Sequence, residues 1–314
     1  MQKITVIGTG NVGSTIAYTL AVSSIASEIV LIDINSEKAL GEALDIRQGM
    51  SFASSARIYA GSYMDAKDSD IVVITSGVAR KPGQSRLDLA QINVNILKSI
   101  TPEIVKYAPD AIYVIVSNPL DIMTYAFNKF SCLPEDHIIG SGTCLDTARL
   151  QARLAEYYSI DQQDVHAMVL GEHGDSSFVP WSLANISGVP VDMYSESLVN
   201  CNRILPPMEK AEVENYMRKS GARIIGRKGA TFYAVSLSVA HICKCIGQDT
   251  NSLLTVSSMM HGEYGIEDCC LSLLSIVGGN GLNGKLVMPM TDEEVDKLRK
   301  SAEAIKAVQN SITF

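Results

Sequence analysis

Lys3-Ile-Thr-Val-Ile7 runs directly into Gly8-Thr-Gly-Asn-Val-Gly13, and helix-like sequence follows from Asn11 to Ser24. An unbroken apolar run suits a strand buried on both faces of a parallel sheet. The glycines give the turn its chemistry: Gly8 allows a tight bend, Gly10 lets backbone approach a pyrophosphate, and Gly13 lets the helix lie close against the sheet. Asp33 strengthens the reading. It follows a second apolar run, Ile29 to Ile32, twenty residues beyond Gly13, where a carboxylate can hold both hydroxyls of a ribose. Gly8, Gly10, Asn11, Val12, Gly13 and Asp33 therefore form a candidate dinucleotide site. Asp33 would repel a 2′-phosphate, and no basic residue immediately follows it, so NAD is favoured over NADP. The alternative is a glycine-rich turn capping a strand, with Asp33 as a turn residue.

Working outward, residues 71 to 74 and 112 to 116 are further continuous apolar runs, separated by helix-like stretches such as Ser36 to Gly49. Strands alternating with helices predict βαβ units in an α/β, doubly wound parallel sheet over residues 1–140. Beyond that the pattern changes, which predicts a second α+β lobe over residues 141–314. Helices are expected from Thr143 and around Pro207 to Gly226, strands at 165–170, 253–257 and 271–277, and Gly/Asn turns at 278–284. Thr291-Asp-Glu-Glu294 is a capping-box signal, and Val295, Leu298, Ala302 and Ile305 then share one helical face. No low-complexity linker intervenes, so the lobes are expected to pack closely.

Composition narrows the class. The chain has 314 residues, 46% of them hydrophobic, which is enough for two lobes with a substantial core. Its formal net charge of -8 opposes any general attraction to nucleic acid. The uncharged stretch from Ile4 to Ser27 is interrupted by three glycines, Asn11 and several hydroxyl residues, so it reads as strand, turn and helix and not as a membrane segment. Seven cysteines without a Cys-x-x-Cys pair fit reduced thiols in a cytoplasmic protein better than a zinc site.

Two further segments carry chemistry. Asp146-Thr-Ala-Arg149 enters helix-like sequence, and Gly171-Glu-His-Gly-Asp175 places His173 27 residues after Asp146. An imidazole that exchanges a proton with a substrate carbonyl needs a carboxylate behind it to fix its tautomer and favour its charged form, and Asp146 is the candidate. Arg149, three residues on, shares a helical face with Asp146 and can offer its planar fork to a substrate carboxylate. Singly, each residue has another reading: a capping box between Thr143 and Asp146, a solvated helix arginine, and a loop histidine with satisfied hydrogen bonds. Gly77 to Arg86 follows the run at 71–74, with glycines at 77 and 83 and basic residues at 80, 81 and 86. That composition suits a lid closing over substrate, or else a solvated connector.

With these motifs in hand, the chain resembles the L-lactate/L-malate dehydrogenase family along nearly its whole length. The resemblance rests on Gly8 to Gly13 with Asp33, the Arg80 to Arg86 loop, Ser117-Asn118-Pro119, Gly140-Ser-Gly-Thr-Cys-Leu-Asp-Thr-Ala-Arg149 and Gly171-Glu-His-Gly-Asp175. It implies a Rossmann-type nucleotide domain that binds NAD, with Ser117 and Asn118 among the residues around the cofactor. It also implies His173 as acid/base, Asp146 as its orienting partner and Arg149 gripping the C1 carboxylate. Arg86 would polarise the reacting carbonyl, with Asn118 beside it.

The substrate is read from residues that disagree. Lactate enzymes of the family commonly have Gln where this chain has Arg80, whereas malate enzymes place Arg there to pair with a second carboxylate. Thr231, Leu87 and the segments around Gly140 and Gly171 resemble the lactate branch. Interconversion of pyruvate and L-lactate is therefore the primary expectation, with oxaloacetate/malate as the alternative and a non-catalytic nucleotide-binding protein as a third reading. That third reading predicts decay at the chemical residues, and none is seen. Relatives activated by fructose 1,6-bisphosphate resemble a pattern with arginine at the position of Gln151 and a histidine at that of His166, so weak or absent activation is expected. A homo-oligomer, dimer or tetramer, is implied by the resemblance alone.

Overall fold

The computed structural model describes residues 2–78, 86–199 and 208–314, the side chain of Arg86 excepted. The first half runs β1 (Lys3–Ile7), α1 (Asn11–Val22), β2 (Glu28–Ile32), α2 (Ser36–Gln48), β3 (Arg57–Ala60), β4 (Ile71–Ile74), α3 (Arg86–Tyr107), β5 (Ile112–Ile115), α4 (Leu120–Ser131) and β6 (Ile138–Gly140). The second runs α5 (Cys144–Tyr158), β7 (Val165–His166), β8 (Asn185–Ile186), β9 (Val189–Pro190), α6 (Val191–Ser197), α7 (Lys210–Arg218), α8 (Ser220–Lys228) and α9 (Tyr233–Gly247). It closes with β10 (Ser252–His261), β11 (Glu267–Gly278), β12 (Gly281–Lys285) and α10 (Asp292–Gln309).

Among the described residues the main sheet has nine strands in the order β3-β2-β1-β4-β5-β6-β10-β11-β12. The first six are parallel, and the last three are antiparallel to their neighbours. The continuous apolar runs have a direct cause. Val30, Ile32, Val72, Ile74, Tyr113 and Ile115 pack into one core with α3 and α4, while Ile29, Leu31, Ile71, Val73, Ile112 and Val114 pack into another with α1 and α9. Alternate residues of each strand thus face opposite layers, and both layers must be apolar.

The order reverses beside β1, and the loops leaving the carboxyl ends of β1, β4 and β5 open into one crevice, where doubly wound sheets bind ligands. The second half does not build a separate main sheet. Its β10–β11 hairpin joins β6 through the pairing of Ser257 with Gly140 and continues the nucleotide-domain sheet. A small sheet of β7, β8 and β9 packs with α5 and α7 around Leu150, Leu154, Val169 and Met217 to form a core of its own.

Local expectations meet mixed outcomes. Thr291 and Glu294 form the reciprocal capping box, and Leu298, Ala302 and Ile305 are buried. The strand expected at 165–170 is regular only at Val165–His166, with an isolated bridge from Leu170 to Phe178. Residues 281–285 form β12 where turns were expected, because Gly281 and Gly284 pair with β11 as an edge strand. The helix expected up to Gly226 is two helices that break at Lys219, and Pro207 lies outside the described residues. Neither β3 nor β6 stands out in the sequence. β3 is Arg-Ile-Tyr-Ala with its first residue exposed, and β6 is only three residues long.

Candidate active site

The glycine turn is held from both sides. Gly8 accepts φ +96° and donates its N–H to Ile32 at 2.7 Å, which fixes the turn between β1 and β2. A Cβ on Gly13 would lie 1.8 Å from the Gly8 carbonyl oxygen, so helix and turn meet without room for any side chain. A Cβ on Gly10 would meet nothing within 4 Å, so its backbone faces open space at the start of α1, where unpaired N–H groups favour an anion. The open face over Gly10 fits the pyrophosphate of a dinucleotide. Asn11 and Val12 form the first turn of α1, and Val12 also lines the crevice.

Asp33 does more than wait for a ribose. One of its oxygens accepts the Thr9 N–H at 2.6 Å and the Thr9 hydroxyl at 3.0 Å, and the other accepts the Asn35 N–H at 2.9 Å. Partial burial opposes its ionisation, but these donors outweigh it and hold the carboxyl below the usual range. These three donors leave about one of the carboxylate's four lone-pair sites, on the oxygen that accepts from Asn35, for a further donor.

His173, Asp146, Arg149, Asn118, Ser117 and Thr231 all line one cavity of ≈ 510 Å³, together with Val12, Val235 and Ile225. Asp146 and Arg149 lie one turn apart near the start of α5, which aims both side chains the same way. Asp146, only 7% exposed, divides its carboxylate. Oδ2 meets His173 Nδ1 at 2.6 Å, and Oδ1 accepts from Arg149 at 3.0 Å. Burial works against the charged imidazole, but the facing Asp146 carboxylate prevails and lifts the His173 pKa to about 8. The same partners hold Asp146 below its ordinary value although burial acts to raise it. Since Nδ1 is committed to Asp146, proton exchange with a bound molecule falls to Nε2. Thr143 does not form a capping box with Asp146; its hydroxyl donates to the Val169 carbonyl.

Ser117 donates its hydroxyl to the Ser76 carbonyl at 2.6 Å and so ties the ends of β5 and β4 together. The Asn118 carbonyl accepts from Asn93 of α3 at 2.7 Å. Arg80 lies outside the described residues, as does the side chain of Arg86, whose backbone opens α3.

Two buried polar residues of this neighbourhood escaped sequence reasoning. Asn93, 2% exposed, pairs with both the N–H and carbonyl of Val78 while it holds Asn118. It anchors the root of the loop beginning at Gly77. Asp121, 2% exposed, accepts the backbone N–H of His173 at 2.8 Å and the Ser257 hydroxyl at 2.6 Å. Burial pushes its pKa up to about 6. Its sequence signal was a carboxylate in an otherwise apolar first helical turn two residues after Pro119, where a buried charge demands a partner.

Comparison with known proteins agrees in both halves. Residues 2–140 match the model of the lactate/malate dehydrogenase NAD binding domain, and residues 143–313 match that of the lactate/malate dehydrogenase alpha/beta C-terminal domain. The chain belongs to the lactate/malate dehydrogenase family. It is 46% identical to L-lactate dehydrogenase of Thermoanaerobacterium saccharolyticum over 308 residues, 98% of each chain. It is 47% identical to that of Clostridium perfringens strain SM101 over 306 residues, 97% of this chain and 95% of the relative. Among solved structures, a lactate dehydrogenase named MGS-M5, from a Medee basin deep-sea metagenome library, superposes with TM-score 0.95 at 34% identity, covering 100% of this chain and 99% of that one. A minor L-lactate dehydrogenase from Enterococcus mundtii, in a ligand-bound form, gives 0.93 at 36% identity with the same coverage.

Among the described residues no cluster of His, Cys, Asp or Glu is arranged to hold a metal, and no helix is long and apolar enough to cross a membrane. The packing at Gly13 yields a direct expectation. Gly13→Ala must open the turn, and NADH affinity measured by fluorescence titration is expected to fall about tenfold or more. Unchanged affinity would show that the turn does not hold the cofactor.

Proposed function

We propose that this chain is an NAD-dependent L-lactate dehydrogenase that interconverts pyruvate and L-lactate. The observation that carries the reading is the Asp146–His173 pair with Arg149, in one cavity with residues that follow the nucleotide-binding turn. Near-complete coverage by relatives named L-lactate dehydrogenase supports the choice of acid. The boundary between nucleotide and substrate domains is drawn at residue 140. A cytoplasmic, fermentative, homotetrameric enzyme completes the proposal.

When bound, the nicotinamide supplies or accepts the hydride at the substrate's second carbon. The chain's residues do the rest. Arg149 has donors to spare beyond Asp146 and grips the substrate carboxylate, fixing the keto carbon in the cavity. His173, protonated and oriented by Asp146, donates from Nε2 to the carbonyl oxygen as it becomes an alcohol. Arg86 is assigned to stabilise negative charge on that oxygen, a contribution of ~3 kcal/mol for comparable donors. Asn118 lies beside it. Asp33 and the turn from Gly8 to Gly13, with Asn11 and Val12, hold the two halves of the dinucleotide.

Thr231 lines the cavity with Val235 and Ile225 and is assigned to favour the small methyl of pyruvate, while Arg80 is assigned to pair with a second carboxylate. Steady-state kcat/KM with NADH is expected to favour pyruvate, with measurable turnover of oxaloacetate that declines in Arg80→Gln. A preference for oxaloacetate of about tenfold or more in the native chain would instead make it a malate dehydrogenase. An unchanged ratio in the variant would remove Arg80 from the substrate site.

The pH dependence has a fixed sign. Reduction needs protonated His173, so kcat/KM for pyruvate is expected to stay level below about 8 and fall as pH rises through it. Lactate oxidation needs the neutral ring and rises through the same pH. An alkaline limb that begins below the ordinary histidine range would overturn the assignment of His173.

Gln151 donates to the Ala167 carbonyl at 3.1 Å and offers no charge beside His166. Micromolar fructose 1,6-bisphosphate is therefore expected to leave the pyruvate saturation curve unchanged. A strong rise in activity would show that other cations build the effector site.

A further inference from the structure

The loop that carries His173 is secured one backbone amide at a time. Gly171 exchanges both backbone hydrogen bonds with Ser272 of β11, at 3.0 and 3.1 Å. The His173 N–H goes to Asp121 of α4, and between them the Glu172 N–H goes to the hydroxyl of Ser301, in α10, at 2.8 Å. Ser301 is 0% exposed and distant in sequence from every other residue of the site. Its oxygen also lies 3.0 Å from the Ser176 hydroxyl, which in turn donates to the Glu172 carboxylate.

The donor accounting admits one arrangement of this ring. An ionised carboxylate only accepts, so the Ser176 proton is committed to Glu172. Ser301 must then give its proton to Ser176 while its lone pair takes the Glu172 N–H. Residue 172 thus meets the buried Ser301 hydroxyl directly through its N–H and, through Ser176, from its carboxylate. The fit is also steric. Gly171, at φ +89°, has no space for a Cβ, because one would sit 2.7 Å from Ser301 Oγ. Ser301 therefore sets both the hydrogen bond and the depth at which the loop lies on α10.

We infer that Ser301 of the carboxyl-terminal helix is a positioning residue for catalysis, holding the 171–176 loop so that the imidazole of His173 stays in register with Asp146. It touches neither substrate nor cofactor. The inference rests on His173 being the acid/base, but its first test does not.

Ser301→Ala removes the acceptor and leaves the helix intact. By amide hydrogen exchange in the unliganded protein, the Glu172 N–H is expected to exchange at least about tenfold faster, with α10 amides beyond one turn unchanged. The His173 ring, followed by NMR, should titrate below its native value of about 8, toward 6.5, as contact with Asp146 loosens. Turnover of pyruvate should fall about tenfold with KM changed less than about threefold, the pattern of a misplaced catalytic group. Ala302→Gly, at a buried neighbour whose side chain can form no hydrogen bond to the loop, controls for loss of stability alone and should leave the His173 titration native. Native exchange at Glu172 and a native His173 titration in Ser301→Ala would overturn the proposal, whatever the activity. Equal effects of the two variants on that titration would reduce Ser301 to a purely structural role. Absence of pyruvate turnover in the native enzyme would count against the functional reading and leave the exchange and titration tests standing.

Discussion

One carboxylate organises this molecule. Asp146 is buried, ionised and shared between His173 and Arg149, so withdrawing it would leave both cations without their counter-charge in a poorly solvated place. Breaking such a pair by removing one member typically costs ~3 to 5 kcal/mol, far more than an exposed ion pair contributes. The requirement runs in both directions. Asp146 needs the cations to stay charged, and His173 needs Asp146 to keep its proton near neutral pH. Helix α5 supplies the spacing of Asp146 and Arg149 at no extra cost, but the histidine arrives from a loop, and the fold must bring it there.

Continuity of the sheet is how that is done. Because β10 and β11 extend the nucleotide-domain sheet, Ser257 and Ser272 stand in the same rigid layer as the strands that end at the glycine turn. Ser257 holds Asp121, Asp121 holds the His173 amide, and Ser272 brackets Gly171. A reaction that passes a hydride on one side and a proton on the other tolerates little relative movement of the two halves, and misplacement by ~1 Å can cost about a hundredfold in rate. A second lobe joined only by a linker would not meet that tolerance.

The sequence was legible where one residue type answers one physical demand. Gly8, Gly10 and Gly13 with Asp33 could be read because backbone space and a ribose carboxylate leave few substitutes, and the runs at 71–74 and 112–116 because burial on two faces forbids polar residues. Thr291 and Glu294 were readable for the same reason, as a local pair closed within one turn. What stayed hidden was non-local. Ser257, Asn93 and Ser301 are ordinary residues in ordinary elements until the fold sets them against polar groups elsewhere in the chain: the Asp121 carboxylate, the Val78 amide and the Glu172 amide. β12 was misread as turns because an edge strand of Gly-Leu-Asn-Gly-Lys takes its order from β11, not from its own composition.

The two buried aspartates around His173 differ in a way that explains why Asp121 is not an asparagine. Asp146 is half neutralised by Arg149, so its field at the imidazole is weakened by the same arginine that is needed for the substrate. Asp121 is held by neutral donors only, the Ser257 hydroxyl and a backbone N–H, and its charge reaches the ring uncompensated. Both carboxylates favour the protonated imidazole, whereas Arg149 opposes it. An asparagine at 121 could accept from one of the two donors through its carbonyl but would contribute no charge. The raised pKa of Asp121 is the cost of that placement, and since each of its oxygens accepts a hydrogen bond, from the Ser257 hydroxyl and from the His173 N–H, the site is built for the carboxylate.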